Sequence, residues 1–187
     1  NLYLNNELVT EIEIPNTITE IKDYAFESCT NLTEFVIPNS VTSIGDAAFS
    51  SCANLTKIVI PDGVTDIGNG AFNGCANLTE IVIPDSVTRI GSYAFYMCES
   101  LTDVVIPEGV ISIEGLAFDG CVSLSNVNFP QSVKYVGANA FSNTLWYNSL
   151  PDGCVYINDV LYVYKGEIPD GTHIDIKNTT TYISPWA

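Results

Sequence analysis

Basic side chains are scarce in this sequence of 187 residues: six Lys and Arg accompany 22 Asp and Glu, so the formal net charge is −16. Binding to nucleic acid or to an anionic lipid surface depends on clustered Lys and Arg. The composition therefore predicts that the chain binds neither of them.

Long apolar runs are absent as well. A helix that crosses a bilayer needs ~20 predominantly apolar residues, and no stretch of the sequence approaches that length, so membrane insertion is not expected. No leader peptide is recognisable, but the sequence opens in the middle of a pattern at Asn1, and we interpret it as a mature or trimmed chain.

The residues that carry most enzyme chemistry are nearly missing. His173 is the single histidine and stands in a short polar run, with no nucleophile elbow and no phosphate-binding glycine loop in the sequence. Neither a CxxC pair nor a Cys/His spacing suggests zinc, and the DxDxDG-type loop of many calcium sites is also missing. The sequence therefore predicts a non-enzymatic protein with no catalytic residue, no cofactor and no metal site.

In contrast, one pattern fills most of the chain: a unit of 23 residues that recurs without insertion. Its most regular columns are a proline (Pro15, Pro38, Pro61, Pro84, Pro107, Pro130), a phenylalanine preceded by alanine (Phe26, Phe49, Phe72, Phe95, Phe118, Phe141) and a cysteine (Cys29, Cys52, Cys75, Cys98, Cys121). Self-similarity at a fixed period is the signature of a repeat solenoid, in which each unit stacks on its neighbours.

Residues 55–77 show how one unit is expected to fold. Ile58 and Ile60 alternate with polar or exposed positions, which predicts a short strand with one buried face. Pro61 has no N–H to donate to a sheet, so we expect the strand to end there.

The second half of the unit carries the remaining apolar positions. Val64 and Ile67 should point inward from a second short extended or turn segment, and the spacing of Ala71, Phe72 and Cys75 predicts about one helical turn against the core. Roughly eight apolar positions per unit cannot form a core alone, but stacked units form a continuous one. We therefore predict a β-rich α/β repeat solenoid, right-handed, with short parallel strands and short helical turns.

The columns resemble those of the bacterial BspA-like leucine-rich repeats, whose motif is LxxIxIPxxVxxIGxxAFxxCxxL. Residues 32–124 match this motif almost without exception, and the resemblance extends over about residues 9–143. Lys22 and Glu114 depart from it by replacing the Gly of the Ile-Gly pair, and Thr144 replaces the sixth Cys. The resemblance implies a leucine-rich-repeat solenoid of a secreted or surface-attached bacterial protein, with adhesion to host proteins or other cells as the usual suggested role.

We expect the whole chain to form a single leucine-rich-repeat solenoid. Its predicted parts are an N-terminal edge (1–8), six repeats (9–144), an irregular β-hairpin insertion (145–171) and the start of a further, truncated repeat (172–187). The hairpin should turn at Asn158 and Asp159, and Leu2, Leu4 and Leu8 are expected to cover the open end of the first repeat. Because the pattern stops one residue before the next expected Phe, we also expect repeats beyond Ala187.

The cysteines invite a disulfide interpretation, but five of the six hold equivalent places in successive repeats. Their side chains should point the same way, about 5 Å apart, like residues on adjacent strands. A disulfide needs converging Cβ vectors, so the five are expected to be buried free thiols that act as small hydrophobes. Cys154 lies outside this ladder and is the cysteine most expected to be exposed.

The outward strand positions form the first candidate binding surface. They comprise a mostly charged column and a valine column: Glu34, Lys57, Glu80 and Asp103, and beside them Val36, Val59, Val82 and Val105. The valines are explained either by β-propensity and cross-strand packing or by an apolar protein-binding strip rimmed by acids. A third column follows the prolines (Asn16, Asn39, Asp62, Asp85, Glu108, Gln131), and is read as solvated charge, with shared Ca²⁺ as the weaker alternative.

Aromatic residues of the tail form the second candidate surface: Trp146, Tyr147, Tyr156, Tyr162 and Tyr164. They would stack on a glycan or, alternatively, pack against the solenoid. The leading hypothesis is therefore a non-enzymatic secreted or cell-surface adhesion module, which uses the repeat-built face to bind a protein on host or neighbouring cells. The alternative is a glycan-binding or accessory module of a larger surface enzyme.

Overall fold

The described part of the chain is residues 12–187, together with the backbone of two short strands near the N-terminus. The protein structure is a computed structural model. The expected capping role of Leu2, Leu4 and Leu8 concerns side chains outside the described residues.

Short strands dominate the described chain. In chain order they are β1 (Tyr3–Leu4), β2 (Glu7–Leu8), β3 (Glu20–Ile21), β4 (Glu34–Val36), β5 (Ser43–Ile44), β6 (Lys57–Val59), β7 (Asp66–Ile67), β8 (Glu80–Val82), β9 (Arg89–Ile90), β10 (Asp103–Val105), β11 (Ser112–Ile113), β12 (Asn126–Asn128) and β13 (Tyr135–Val136). They are followed by the helix α1 (Leu145–Ser149) and by β14 (Gly153–Ile157), β15 (Val160–Lys165) and β16 (Tyr182–Ile183). Strands β1 and β2 pair antiparallel.

From the second repeat onward the first strand of each repeat is three residues long, and these strands pair in parallel with their neighbours except between β8 and β10. Strands β4, β6 and β8 form one sheet and β10 and β12 another, always with a shift of one repeat, as in the pairing of Ile58 with Ile81. In β4, β6, β8 and β10 the middle residue is buried and its two neighbours are exposed. The predicted strand with one buried face is therefore confirmed.

The second strand of each repeat joins a longer parallel sheet of six strands, in the order β13-β11-β9-β7-β5-β3. A glycine follows most of these strands, because the backbones of successive repeats meet there. A Cβ atom on Gly68 would lie 2.5 Å from the carbonyl oxygen of Gly45, and one on Gly91 would lie 2.7 Å from that of Ile67. The Ile-Gly pair of the repeat thus permits close stacking at this corner.

The predicted helical turn around each Ala-Phe pair is wrong. Gly70 and Gly74, on either side of the pair, have left-handed backbones with φ of 61° and 70°, and a right-handed helix cannot run through such residues. The N–H of Phe72 instead donates to the carbonyl of Ala94 in the next repeat, at 2.8 Å. This segment is a series of turns that bonds to its neighbours along the solenoid axis, and α1 is the one helix found in the described chain.

The phenylalanines form a continuous column through the core. Rings in adjacent repeats are stacked with centroids 5.0–5.5 Å apart and planes within 14° of parallel. From Phe49 to Phe141 all five rings are completely buried, whereas Phe26 at the N-terminal end is only partly buried. Each inner ring is therefore covered on both faces by other rings.

A column of cysteines runs beside the rings and bonds across repeats. The thiol of Cys52 donates to the carbonyl of Phe26 at 3.1 Å, and that of Cys75 donates to Phe49 at 3.2 Å. The five ladder cysteines are buried free thiols, and Cys154 is partly exposed, as predicted. Burial raises the pKa of Cys52 to about 12 and the pKa of Cys75 still further.

After Phe141 the chain leaves the repeat. Thr144, which stands in place of the sixth Cys, is buried, donates its hydroxyl to the Phe141 carbonyl at 2.8 Å and accepts from the N–H of Tyr147 at 3.0 Å. It is therefore the N-cap of α1. The N–H of Trp146 donates to the carbonyl of Leu124 at 2.8 Å, so α1 remains bonded to the last complete repeat.

The tail then covers the end of the core. Strands β14 and β15 form an antiparallel hairpin through the turn at Asn158 and Asp159, and β16 pairs in parallel with β15. The hydroxyl of buried Tyr162 accepts from the N–H of Phe141 at 2.9 Å. In this way the hairpin occupies the place that another repeat would take against the phenylalanine column.

The phenylalanine column predicts a position-dependent effect of truncation. Phe72→Ala should lower the free energy of unfolding by about 3–5 kcal/mol, because it empties a site packed between two rings. Phe26→Ala should cost less, since Phe26 is partly exposed and has a stacked ring on one side only. Chemical denaturation of both variants measures this difference, and equal or reversed costs would contradict the stacking account.

Burial of the thiols predicts their reactivity. In the native protein at pH 8 the five ladder cysteines should be alkylated much more slowly than Cys154, because burial blocks access to all five. The raised pKa of Cys29, Cys52, Cys75 and Cys98 also keeps those thiols protonated. In denaturant without reductant all five should react. Mass spectrometry of time points measures this, and two or more native disulfides among the five would refute the ladder of free thiols.

The Thr144 cap predicts a local loss of stability. Thr144→Ala should cost about 1 kcal/mol, and up to ~2, because it removes the N-cap of α1 and leaves buried backbone groups unpaired. Thr65→Ala, at an exposed threonine within the repeats, is the matched control and should be nearly neutral. Urea denaturation measures the free energy of unfolding of both variants. Equal losses in the two would show that the N-cap at Thr144 does not contribute to stability.

Candidate functional site

The outward residues of β4, β6, β8 and β10 form one surface, which we call the strand face. Its centre is a column of valines in register, with Val36 paired beside Val59, Val59 beside Val82, and Val105 one strand further along. They are 74%, 45%, 54% and 67% exposed, respectively. Four β-branched side chains thus stand in solvent on the side opposite the core.

A charged column borders the valines on one side. It consists of Glu34, Lys57, Glu80 and Asp103, all of them exposed, with Lys57 in register between Glu34 and Glu80. Among the described residues, the ion pairs found lie elsewhere, and none of them involves these carboxylates. The column is therefore predominantly anionic and available to a partner.

A second acidic column borders the valines on the other side, beyond the prolines. Asp85 and Glu108 line the same groove as Val82 and Val105. Asp62 holds the equivalent position in the repeat before Asp85, and its side chain is exposed. Within residues 12–187 no group of three or more His, Cys, Asp or Glu side chains could hold a metal ion. The column is thus a flank of solvated carboxylates, and the calcium interpretation gains no support.

His173 lies outside the strand face. Its Nε2 is 3.0 Å from Oδ1 of Asp175, and both side chains are almost fully exposed. A catalytic His needs a positioned reacting group or nucleophile within hydrogen-bond reach, and the carboxylate of Asp175 supplies neither.

The predicted aromatic surface is for the most part engaged in packing. Tyr162 is buried, and Tyr147 meets it edge to face at 6.5 Å between ring centroids. Tyr156 accepts from the N–H of Lys177, whose Nζ lies 4.1 Å from the centroid of the Tyr156 ring. Tyr164 is partly buried in the hairpin, opposite Cys154. These contacts leave Tyr162 with no face for a ligand.

Trp146 is the aromatic residue of the tail that lies next to the strand face, and it is only partly buried. It packs against Phe129 and Phe141, with 5.4 Å between ring centroids in each case, and it also lines a groove with Asp103 and Val105. The remaining residues that line this groove, which we call the Trp146 groove, are Val104, Ser125, Asn126, Val127 and Asn128.

The participation of Asn126 and Asn128 was not foreseen as part of a site. The available signal was their departure from the columns, since they stand where earlier repeats carry a charged residue and a valine. Trp146 lies outside the repeat, so its approach to β12 could not be read from the period.

Comparison with known proteins supports the repeat assignment. The sequence matches the profile of the BspA type leucine rich repeat region over residues 1–104 and 88–187, with six copies. No curated protein shows a match. Among the described residues, no helix has the length and apolarity needed to span a membrane.

Solved structures of bacterial leucine-rich repeat proteins are similar to the chain. One from Bacteroides ovatus is 28% identical over 91% of this chain and 50% of its own, with a TM-score of 0.61. One from T. pallidum is 31% identical over 72% of both chains, with a TM-score of 0.58. One from Eubacterium ventriosum is 28% identical over 76% of this chain and 45% of its own, with a TM-score of 0.61.

The chain thus spans about half the length of the Bacteroides ovatus protein, which it covers to 50%. The period of 23 residues, the stacked parallel strands and the sequence profile agree with one another. The chain belongs to the BspA-type leucine-rich repeat family.

Proposed function

We propose that the chain is a non-enzymatic binding module that recognises a protein partner through its strand face: Glu34, Val36, Lys57, Val59, Glu80, Val82, Asp103 and Val105. The observation that carries the proposal is the exposed valine column between two acidic columns. Contiguous apolar surface with a polar rim is typical of protein-interaction sites.

The rival explanation is that the valines serve only the strands. β-branched side chains favour extended backbone and pack well across a sheet, and this would account for the column without a partner. The two explanations differ in what a polar substitution does, because a purely structural column affects stability whereas a binding column affects affinity.

The charges of the two columns that flank the valines indicate what kind of partner surface would bind. The two flanking columns carry six carboxylates (Glu34, Asp62, Glu80, Asp85, Asp103, Glu108) and one amine, that of Lys57. Like charges brought together across an interface cost free energy, and complementary charges speed association. We expect a partner surface with an apolar centre and a rim of Lys and Arg.

The cellular setting proposed with this function is the bacterial cell surface or the extracellular space, with adhesion to a protein on host or neighbouring cells. Family membership supports it. The chain covers half of the Bacteroides ovatus protein. The alternative setting is therefore a module within a larger surface protein, such as the accessory module of a surface enzyme.

The test replaces both central valines with Lys. Val59→Lys together with Val82→Lys places two cations in the middle of the valine column, and should weaken binding at least about 30-fold, since central desolvated residues carry most interface energy. Partners are isolated from host surface or matrix extracts with the parent protein, and affinities are measured by surface plasmon resonance.

The matched control adds the same two cations away from the strand face. Ile111→Lys with Val122→Lys alters two exposed apolar residues and should leave affinity unchanged. Glu80→Gln should change the salt dependence of association more than the affinity. If the Val59/Val82 variant remains folded by circular dichroism and binds like the parent, the strand face is not the binding site.

A further inference from the structure

The pattern of the strand face ends at the Trp146 groove. In the sixth repeat Asn126 occupies the charged column and Asn128 occupies the valine column, so amides replace the apolar strip. The indole of Trp146 lies at this end of the face. The surface chemistry changes there from apolar and anionic to amide-rich and aromatic.

The indole is held in place from behind. The backbone N–H of Trp146 donates to the Leu124 carbonyl at 2.8 Å, and the indole ring meets Phe141 at 67° and Phe129 at 58° between planes. Thr144 fixes the start of the helix that carries it. A ring supported in this way presents its remaining surface to the groove without loss of rotamer freedom on binding.

The polar groups of the groove are also oriented. The amide nitrogen of Asn126 donates to Oδ1 of Asp103 at 2.7 Å and contacts Oγ of Ser125 at 3.3 Å. This hydrogen bond, with a second from Thr102, lowers the pKa of the Asp103 carboxyl, so the group is an anionic acceptor. The remaining lone pairs of the Asp103 carboxylate and the side-chain oxygen of Asn126 are acceptors, and the exposed amide of Asn128 adds donors and an acceptor.

We propose that the Trp146 groove binds a neutral saccharide, with one pyranose ring against the indole and its hydroxyls bonded to Asp103, Asn126 and Asn128. Pyranose rings combine an apolar C–H face with a rim of paired hydroxyls, so they match an aromatic surface beside planar amide and carboxylate groups. A site of this kind, in which a few convergent polar groups border an aromatic side chain, is typical of small-ligand recognition.

The negative charge of the chain favours neutral saccharides over anionic ones. Asp103 faces the groove, Glu80 lies on the adjacent strand and the formal net charge is −16, so sialylated, uronic or sulfated sugars are disfavoured by repulsion. This site shares Asp103 and Val105 with the end of the proposed strand face, but the centre of that face at Val59 and Val82 lies two to three repeats before Asn128 along the chain.

The experiment uses the fluorescence of Trp146. Trp186→Phe removes the other tryptophan, which is largely exposed and does not line the groove. This protein is titrated with cellotetraose, xylotetraose, chitotetraose and mannotetraose, and with sialyllactose as the anionic comparison. We expect a saturable change in emission with at least one neutral sugar at millimolar concentration, none with sialyllactose, and agreement with isothermal titration calorimetry. No saturable response to any neutral sugar overturns the proposal.

Variants then locate the binding. Asn128→Ala should weaken it about tenfold by removing a hydrogen-bonding group, and Trp146→Phe should weaken it by reducing the stacking surface. Asn148→Ala, at an exposed amide on α1 outside the groove, and the Val59/Val82 lysine variant should bind like the parent. Unchanged affinity in Asn128→Ala overturns the assignment to this groove, even if Trp146→Phe fails to fold.

Discussion

Stacking of one repeat on the next is the interaction on which the rest of this structure depends. No single unit of 23 residues can bury its own apolar side chains, and many of its backbone groups find their partners only in a neighbour. Hydrogen bonds run from repeat to repeat along the first strands, the second strands and the turn segment around Ala-Phe. The phenylalanine column fills the space between these walls. Stability is therefore shared between neighbours, and it is lowest where a neighbour is missing.

The same stacking produces the candidate binding surface. Because paired strands are related by one period, and β8 and β10 also lie side by side, any residue type that recurs at an outward position becomes a column on the surface. A modest preference for valine at one position and for acids at two others therefore becomes an extended apolar strip with charged borders. A substitution in one repeat changes only one residue of the column. Asn126 and Asn128 therefore alter the surface locally, and because their side chains are exposed they do not disturb the core.

The tail serves both the core and the surface. Tyr162 bonds to Phe141 at the end of the phenylalanine column, and Lys165 donates to the carbonyls of Tyr147 and Asn148 at the end of α1. Replacement of the sixth cysteine by Thr144 exchanges a ladder thiol for a helix cap. That exchange directs the chain out of the repeat and brings Trp146 beside β12, so that the segment that covers the core also borders the strand face.

The sequence by itself determined the period, the buried columns, the outward position of the valines and acids, and the buried thiols, because each follows from a pattern that repeats in phase. It misled about the Ala-Phe segment, since apolar spacing cannot reveal the left-handed residues at Gly70 and Gly74 that exclude a helix. Only the tertiary structure decided that Tyr162 is buried, that Trp146 lines one groove with Asp103 and Asn128, and that the hairpin occupies the place of a repeat. These contacts join segments outside the period, and no local pattern encodes the distance between them.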